Sequence, residues 1–176
     1  MSDIDLAKAL GSFNKGLEGV LVDPLDIYFE ERVKLSCYYC PRYNTKWTCP
    51  PRIPSINFPR IFKEYKNGLF VICKMDATKE RFEDCRVKSS LLIHKALLNL
   101  EQKLYESNCS LHASFLAGSC KLCRNGCNKE SCNNPGLARI PLEATGVNVI
   151  KTLEKKDISI TFPVTSTIVR VGLILW

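Results

Sequence analysis

Histidine is scarce in this sequence. Only His94 and His112 are present, and neither has a second histidine or an acid at a spacing that catalytic sites use. The sequence also lacks a nucleophile elbow, a Walker loop, a glycine-rich dinucleotide loop and a His-Glu-x-x-His motif. The sequence therefore carries none of the common signatures of hydrolases, nucleotide-binding enzymes or zinc peptidases. Both histidines are predicted to be structural, and whether the protein is an enzyme stays open, with no catalytic residue assigned.

Long hydrophobic runs are absent as well. The longest apolar stretch, residues 169–176, is far too short to span a bilayer. The first ten residues contain no continuous apolar segment of the kind that an export signal needs. We therefore expect a cytoplasmic protein without a membrane span, whose thiols stay reduced, so that disulfides are the weaker explanation for its ten cysteines.

Runs of five or more like charges do not occur either, although the net charge is +7, with 25 Lys and Arg against 18 Asp and Glu. A scattered basic excess suits an acidic protein partner or an anionic substrate. A redox partner protein is the expected contact, and nucleic acid is the less expected one.

The length and composition fit one domain spanning residues 1–176. With 45% hydrophobic residues the chain can bury a core without disulfides or structural metals. A bound metal would therefore serve function or order one loop. Strands are predicted at residues 19–22, 27–35, 69–73, 111–116, 158–162 and 168–175. Helices are predicted at residues 4–13, 61–65, 78–107 and 141–153. This order predicts an α/β or α+β fold, with a single mixed sheet flanked by helices and two cysteine-rich metal-binding loops.

Seven of the ten cysteines fall into two groups. The first cysteine group is Cys37, Cys40 and Cys49, and the second cysteine group is Cys120, Cys123, Cys127 and Cys132. Thiols this dense in a chain without an export signal indicate ligands for a soft metal. Both groups follow predicted strands, 27–35 and 111–116, so we expect them to lie together at one edge of the sheet if those strands are neighbours.

The spacing within the second cysteine group is C-x2-C-x3-C-x4-C. Structural zinc sites usually take two pairs of ligands separated by a dozen or more residues, whereas here one tight loop carries all four thiols. Ferredoxin loops wrap a cluster with a similarly compact run. Gly126 would relieve crowding where the backbone turns close to a cluster. The pattern indicates a 4Fe–4S cluster, with zinc as the alternative.

The first cysteine group supplies only three thiols. Three ligands can hold a cluster with one open iron, or a fourth ligand can come from elsewhere: Cys132, Cys73, Cys85 or Cys109. The last three fit a hydrophobic core better, since free cysteine often behaves as a small hydrophobe. Aromatic and basic residues surround this group: Tyr38, Tyr39, Tyr43, Trp47, Arg42, Lys46 and Arg52. Five prolines between residues 41 and 59 predict an ordered loop without backbone ladders.

Two segments resemble the hallmarks of a known family. Residues 37–54 read Cys-Tyr-Tyr-Cys-Pro-Arg-Tyr-Asn-Thr-Lys-Trp-Thr-Cys-Pro-Pro-Arg-Ile-Pro. Residues 117–123 read Ala-Gly-Ser-Cys-Lys-Leu-Cys, followed by Cys127, Cys132, Pro135, Ala138-Arg139, Pro141, Glu143-Ala144 and Gly146.

These segments are similar to those of the cysteine-rich predicted metal-binding proteins of prokaryotes, many from anaerobes, that form domain of unknown function 2284. The resemblance covers nearly the whole chain and implies metal binding, with iron–sulfur clusters as the expected cofactor. The chain departs from the family where relatives often have Tyr-Gly, because Asn44 follows Tyr43 here. Asn also accepts a left-handed turn.

Three functions remain open from the sequence. The first is an iron–sulfur protein with one or two 4Fe–4S clusters that transfers electrons to or from a redox partner in anaerobic metabolism. The second is a cluster enzyme with an open iron at Cys37, Cys40 and Cys49, performing sulfur transfer or Lewis-acid chemistry. The third is a zinc-binding interaction module. The strand that ends at Trp176 is expected to pair either across a homodimer or inside the sheet.

Overall fold

The structure is a computed structural model that describes residues 5–78 and 81–176. Its helices are α1 Leu6–Phe13, α2 Glu31–Tyr38, α3 Phe58–Phe62, α4 Phe82–Glu106, α5 Leu142–Thr145 and α6 Val149–Glu154. Its strands are β1 Leu17–Val22, β2 Gly68–Asp76, β3 Ala113–Leu116 and β4 Thr167–Leu175. Ile4, predicted in the opening helix, and residues 79–80, predicted in the long helix, lie outside the described residues.

One four-stranded sheet has the strand order β1-β2-β4-β3. The two long strands β2 and β4 pair along their whole length, from Gly68 opposite Leu175 to Asp76 opposite Thr167. The prediction of a single sheet flanked by helices is confirmed, and the structure selects the α+β alternative. The ladders in the described part of the chain are all antiparallel rather than mixed. The C-terminal strand β4 lies between β2 and β3. Of the two pairings expected for it, across a homodimer or inside the sheet, the structure shows the second.

The alternating side chains of β2 divide the core between the two faces of the sheet. Leu69 and Val71 pack on one face with residues of α1 and α4. Phe70 and Ile72 pack on the opposite face, where α3, α5 and α6 cover the sheet. Burial on both faces explains why this strand reads as a continuous apolar run.

Helix α4 lies across the first of these faces and buries a stripe of apolar residues: Ile93, Ala96, Leu97, Leu100 and Leu104. Thr78 does not cap it as expected. Its hydroxyl and its backbone N–H both donate to Asp76 Oδ1, at 2.6 and 2.8 Å, so Thr78 closes a turn after β2 instead. Within residues 5–78 and 81–176, no helix has the length and apolar character that crossing a bilayer requires.

Gly172 marks the closest approach of α4 to the sheet. A Cβ atom at this position would lie 2.7 Å from both Ile93 Cγ2 and Leu97 Cδ1. We expect Gly172→Ala to lower the free energy of unfolding by about 1–3 kcal/mol in urea denaturation, because added atoms overpack a filled core. Gly136→Ala is the matched control, since nothing lies within 4 Å of the added Cβ there. Equal effects of the two variants would contradict the close-packing argument.

Two predicted strands are wrong. Residues 31–35, the second half of the predicted strand 27–35, belong to α2, because Glu31, Arg32 and Lys34 favour a helix and Leu35 points into solvent with 57% exposure. Only Phe29 of that segment makes a strand-like bridge, to Val147. Residues 158–162 form no ladder in the structure, which describes all of them. Ile158 and Ile160 pack against the core, and the Ile158 N–H donates to Leu153 O at 3.1 Å.

The helix predicted at residues 141–153 is divided in two. Gly146 has φ +95° and ends α5, and Asn148 then caps α6 by accepting a hydrogen bond from the Lys151 N–H. The side chain of Lys34 on α2 lies where a Cβ of residue 146 would be, with Cε 2.9 Å away. A glycine therefore serves both the left-handed turn and the close contact with α2.

Candidate metal centre

The first cysteine group lies on a helix end followed by a series of tight turns. Cys37 occupies the last turn of α2, and the Cys40 N–H donates to its carbonyl at 3.2 Å. Further along, the Cys49 N–H donates to Lys46 O at 3.2 Å. Asn44 adopts φ +55°, the left-handed conformation expected where relatives often carry glycine. Turns thus hold this proline-rich segment, as the sequence predicted.

Pairing between two distant segments brings α2 to its position. The Glu30 N–H donates to Gly146 O at 2.9 Å, and the Asn148 N–H donates to Tyr28 O at 2.8 Å. The side chain of Glu30 also accepts from Asn148 Nδ2 at 3.1 Å. These bonds place the end of α2, and therefore Cys37, beside the short helix α5.

The second cysteine group occupies an irregular loop that begins at the end of β3. The Ala117 N–H donates to Val171 O of β4 at 2.8 Å, which fixes the start of the loop. Gly118 and Gly126 both adopt positive φ, +81° and +84°. The backbone turns at Gly126, between Cys123 and Cys127, but no described atom beyond its chain neighbours lies within 4 Å of where its Cβ would be, so the crowding expected beside a cluster stays a prediction.

A buried polar cluster fixes the far end of this loop. The guanidinium of Arg139 forms a two-bonded ion pair with the carboxylate of Glu101 on α4, one bond being Nε to Oε1 at 2.7 Å. Ser114 Oγ also donates to Glu101 Oε1. His94 Nε2 lies 2.7 Å from Leu137 O, a structural role that agrees with the expectation for this histidine. We call Glu101, Arg139, Ser114 and His94 the loop anchor.

Each cysteine group lines its own cavity. The first cavity has a volume of about 300 Å³, and the thiols of Cys37, Cys40 and Cys49 line it. The second cavity is much smaller, about 10 Å³. All four cysteines of the second group line it together with Trp47, Thr48, Leu122 and Asn134. The structure therefore brings together the predicted members of each group, at two separate places.

The thiols that affect one another's pKa also fall into the two cysteine groups. Burial first, and then the charges of Cys37 and Cys40, raise the pKa of Cys49 to about 11. Burial also raises the pKa of Cys120, with added contributions from Cys127, Cys123 and Cys132. Thiols that repel one another as anions favour a bound cation, and binding would release their protons.

The two cavities are adjacent. Trp47, next to the first group in sequence, donates from Nε1 to Asn128 O in the loop of the second group at 2.8 Å. Ser119 lines the first cavity, whereas the next residue, Cys120, lines the second. The expected proximity of the two groups is thus observed, although a helix rather than a strand carries Cys37.

The remaining cysteines lie elsewhere. Cys73 and Cys85 are buried, and Cys109 packs at the edge of the core formed by α1 and α4. Of the described residues that line the two cavities, none is one of these three, so the structure does not support them as a fourth ligand. None of the ten cysteines, all of which lie in the described part of the chain, forms a disulfide. Among residues 5–78 and 81–176, no three or more His, Cys, Asp or Glu side chains are arranged so that they could hold a metal ion as they stand.

Basic side chains surround a third cavity, of about 470 Å³, which shares Cys120 and Cys123 with the second. Its basic lining residues are Arg42, Lys46, Arg86, Lys121 and Arg124. Burial first, and then the charges of Arg170 and Arg86, lower the pKa of Lys121 to about 8. Arg52 belongs to a different contact, because its guanidinium stacks 4.3 Å from the ring centre of Trp47.

Three site features were missed from the sequence. Glu143 lines the first cavity, Lys121 borders the second group, and Asn134 Nδ2 donates to Cys123 Sγ at 3.3 Å. Only the family resemblance gave a signal for Glu143, because Glu143-Ala144 was part of the motif. The prediction that aromatic residues surround the first cysteine group is confirmed in part. Tyr43 lines the first cavity, whereas Trp47 lines the second, and Tyr38 and Tyr39 are exposed.

Comparison with known proteins gives one match. No curated protein and no solved structure matches the chain. The sequence model of one family, described as "Predicted metal-binding protein (DUF2284)", matches residues 20–176. The matched region contains both cysteine groups, the loop anchor and Glu143, and it covers most of the chain. The chain therefore belongs to this family of predicted metal-binding proteins.

Proposed function

We propose that the protein is an iron–sulfur protein that transfers electrons, with a 4Fe–4S cluster at the second cysteine group and another at the first. The observation that carries this proposal is the convergence of seven thiols, and no histidine, on two adjacent cavities. Thiolates are the ligands that iron–sulfur clusters take. The two cavities meet at Ser119 and Cys120, which are neighbours in the chain, so two centres held there would exchange electrons over a short path.

The residues around the second cysteine group suit such a centre. When bound, a cluster supplies one-electron redox chemistry at a potential that depends on net charge, on hydrogen bonds to sulfur and on solvent exposure. Asn134 provides a hydrogen bond to Cys123 Sγ. The ring of Trp47 lines the cavity and would shield a centre from part of the solvent, while Lys46 and Lys121 provide positive charge nearby. These residues hold the thiolates and set the charge around them.

Two other functions each have an observation in their favour. The first cavity has three thiols and room for a small molecule, which favours an enzyme with an open metal position at Cys37, Cys40 and Cys49. The second cavity, about 10 Å³, has room for about one water-sized particle, which favours a single zinc ion there. A cluster at the second group would require its irregular loop to widen.

The redox partner is proposed to be an acidic protein. The basic residues Arg42, Lys46 and Arg124 line a cavity beside the second cysteine group. Complementary charge steers an encounter between two proteins and makes its rate depend on ionic strength. Electron transfer to an acidic partner should therefore slow as salt is raised.

Anaerobic purification of the full chain tests the proposal. We expect a brown protein with broad visible absorption, with iron and acid-labile sulfide in equal amounts and enough of each for two clusters per chain. The absorption should bleach on reduction and return on oxidation. A colourless protein that contains zinc and no sulfide would contradict the proposal and support the zinc-binding alternative.

A further inference from the structure

Glu143 is the acidic side chain of the first cavity. It lies on α5, directly across from the end of α2 that carries Cys37. Among the described residues that line this cavity, it is the only Asp or Glu. It lines this cavity together with Cys37, Cys40 and Cys49, so the carboxylate and the three thiols share one space.

The carboxylate of Glu143 is half-buried, and none of the described cationic side chains is bound to it. Both of its oxygens accept from the Gly118 N–H, at 3.2 and 3.0 Å. In the part of the chain that the structure describes, Lys121 Nζ donates instead to Ser90 Oγ and Ser119 O, and Arg170 Nε has no hydrogen-bond partner. A carboxylate partly removed from water is stabilised by pairing with a cation or by coordinating a metal.

The backbone holds the carboxylate in place before any metal binds. Leu116 and Pro141 form a bridge that ties the start of α5 to the end of β3. Gly118, which donates to the carboxylate, adopts φ +81° in the loop that leads to Cys120. Positioned by two segments of the fold, Glu143 resembles a ligand whose geometry is fixed by its supporting bonds.

We infer that Glu143 is the fourth ligand of the metal centre held by Cys37, Cys40 and Cys49. This inference rests on the proposed function and answers the question that three thiols leave open. The Glu143 carboxylate supplies the ligand that no other cysteine provides. An oxygen ligand is harder than a thiolate and suits a soft metal less, so it is the ligand that a small anion would displace. Arg42 and Arg86 line the same cavity and would attract such an anion.

Glu143→Gln is the discriminating variant. The amide oxygen of glutamine still accepts from Gly118 and fills the same space, so the fold is retained, but the amide is a far poorer ligand than a carboxylate. We expect the anaerobically purified variant to lose more than about 100-fold in affinity for the metal of the first group, because removal of an outer partner alone costs about 10–100-fold. The second group should keep its metal.

Labelled protein gives a direct readout. In the full chain grown with glutamate carrying ¹³C at the side-chain carboxyl, ENDOR of the reduced protein should detect a ¹³C hyperfine coupling that Glu143→Gln removes. Glu83→Gln is the matched control, because Glu83 pairs with Arg86 and lines the neighbouring basic cavity but not the first one. It should keep both the coupling and the metal content of the wild-type protein.

The outcomes separate this inference from the proposed function. A wild-type protein with two clusters, no ¹³C coupling, and an unchanged metal content in Glu143→Gln would overturn the inference and leave the proposed function standing. A colourless zinc protein would overturn the proposed function. In that case Glu143→Gln should still lose one of two zinc equivalents if Glu143 is a ligand, and an unchanged zinc content would overturn the inference as well.

Discussion

Cys123→Ser is expected to remove the metal centre of the second cysteine group. Serine has nearly the same shape as cysteine, but its hydroxyl stays protonated where a thiol gives a thiolate, and a soft metal prefers the thiolate. The remaining three thiols line a cavity of about 10 Å³ whose size leaves little room for a replacement ligand. We expect the iron and sulfide content of the anaerobically purified chain to fall by about half, since one of two clusters is lost.

Cys109→Ser is the matched control for this variant. Cys109 is half-buried at the edge of the core and lines neither thiol cavity in the described part of the chain. The same cysteine-to-serine change there should leave metal content and visible absorption unchanged. An equal loss in both variants would indicate that destabilisation rather than ligand removal is measured. A full metal content in Cys123→Ser would contradict the assignment of this group.

The separation of the two cavities makes the Cys123→Ser result specific. The thiols whose charges act on Cys120 are Cys123, Cys127 and Cys132, and those that act on Cys49 are Cys37 and Cys40. Each group should therefore lose its metal without emptying the other. A single shared centre would instead be lost completely from either variant, so iron analysis of Cys123→Ser also tests whether two centres exist.

The grouping of the cysteines could be predicted because it is local in sequence. Four thiols within residues 120–132 must come close together in space, whatever fold surrounds them. The long apolar strands and α4 could be predicted for a similar reason, since their burial patterns extend over many residues. In contrast, the strand predicted at residues 27–35 rested on two alternating side chains, and the helix propensity of Glu31–Lys34 outweighed them.

The position of Glu143 and the contact of Trp47 with the second cysteine group depend on contacts between distant segments. Glu143 reaches the first cavity only because residues 28–30 pair with residues 146–148. Trp47 covers the second cavity only because its indole bonds to Asn128, 81 residues away. The local sequence does not encode such pairings, so spacing arguments could not place Glu143 at the first cavity, and they placed Trp47 beside the first cysteine group but not at the second.

The loop anchor carries the second large expected effect. The side chains of Glu101 and Arg139 are only 11% and 19% exposed, so their ion pair is largely removed from water. Glu101→Ala would leave the guanidinium of Arg139 buried without its carboxylate, and breaking a buried pair in this way costs about 3–5 kcal/mol. We expect urea unfolding of the metal-free protein to report a loss of that size.

Two further variants make this test sharper. Glu106→Ala removes a carboxylate from the same helix whose pair with Lys103 is about half exposed, and it should cost no more than about 1 kcal/mol. Replacing both anchor charges, Glu101→Leu with Arg139→Met, should cost less than Glu101→Ala alone, because no charge is left unpaired. A double variant less stable than the single one would contradict this account of the anchor.

The anchor also predicts how stability changes with pH. Burial tends to raise the pKa of Glu101, but the hydrogen bonds from Arg139 and Ser114 outweigh it, so the pKa lies below its ordinary value of 4.5. A carboxyl with a lowered native pKa stabilises the fold above its unfolded pKa and loses that contribution as the pH falls through the native value. Below pH 4.5, wild-type stability should therefore fall more steeply than that of Glu101→Gln. If the stabilities of the wild-type protein and Glu101→Gln fell in parallel with pH, Glu101 would not be the cause of the acid sensitivity.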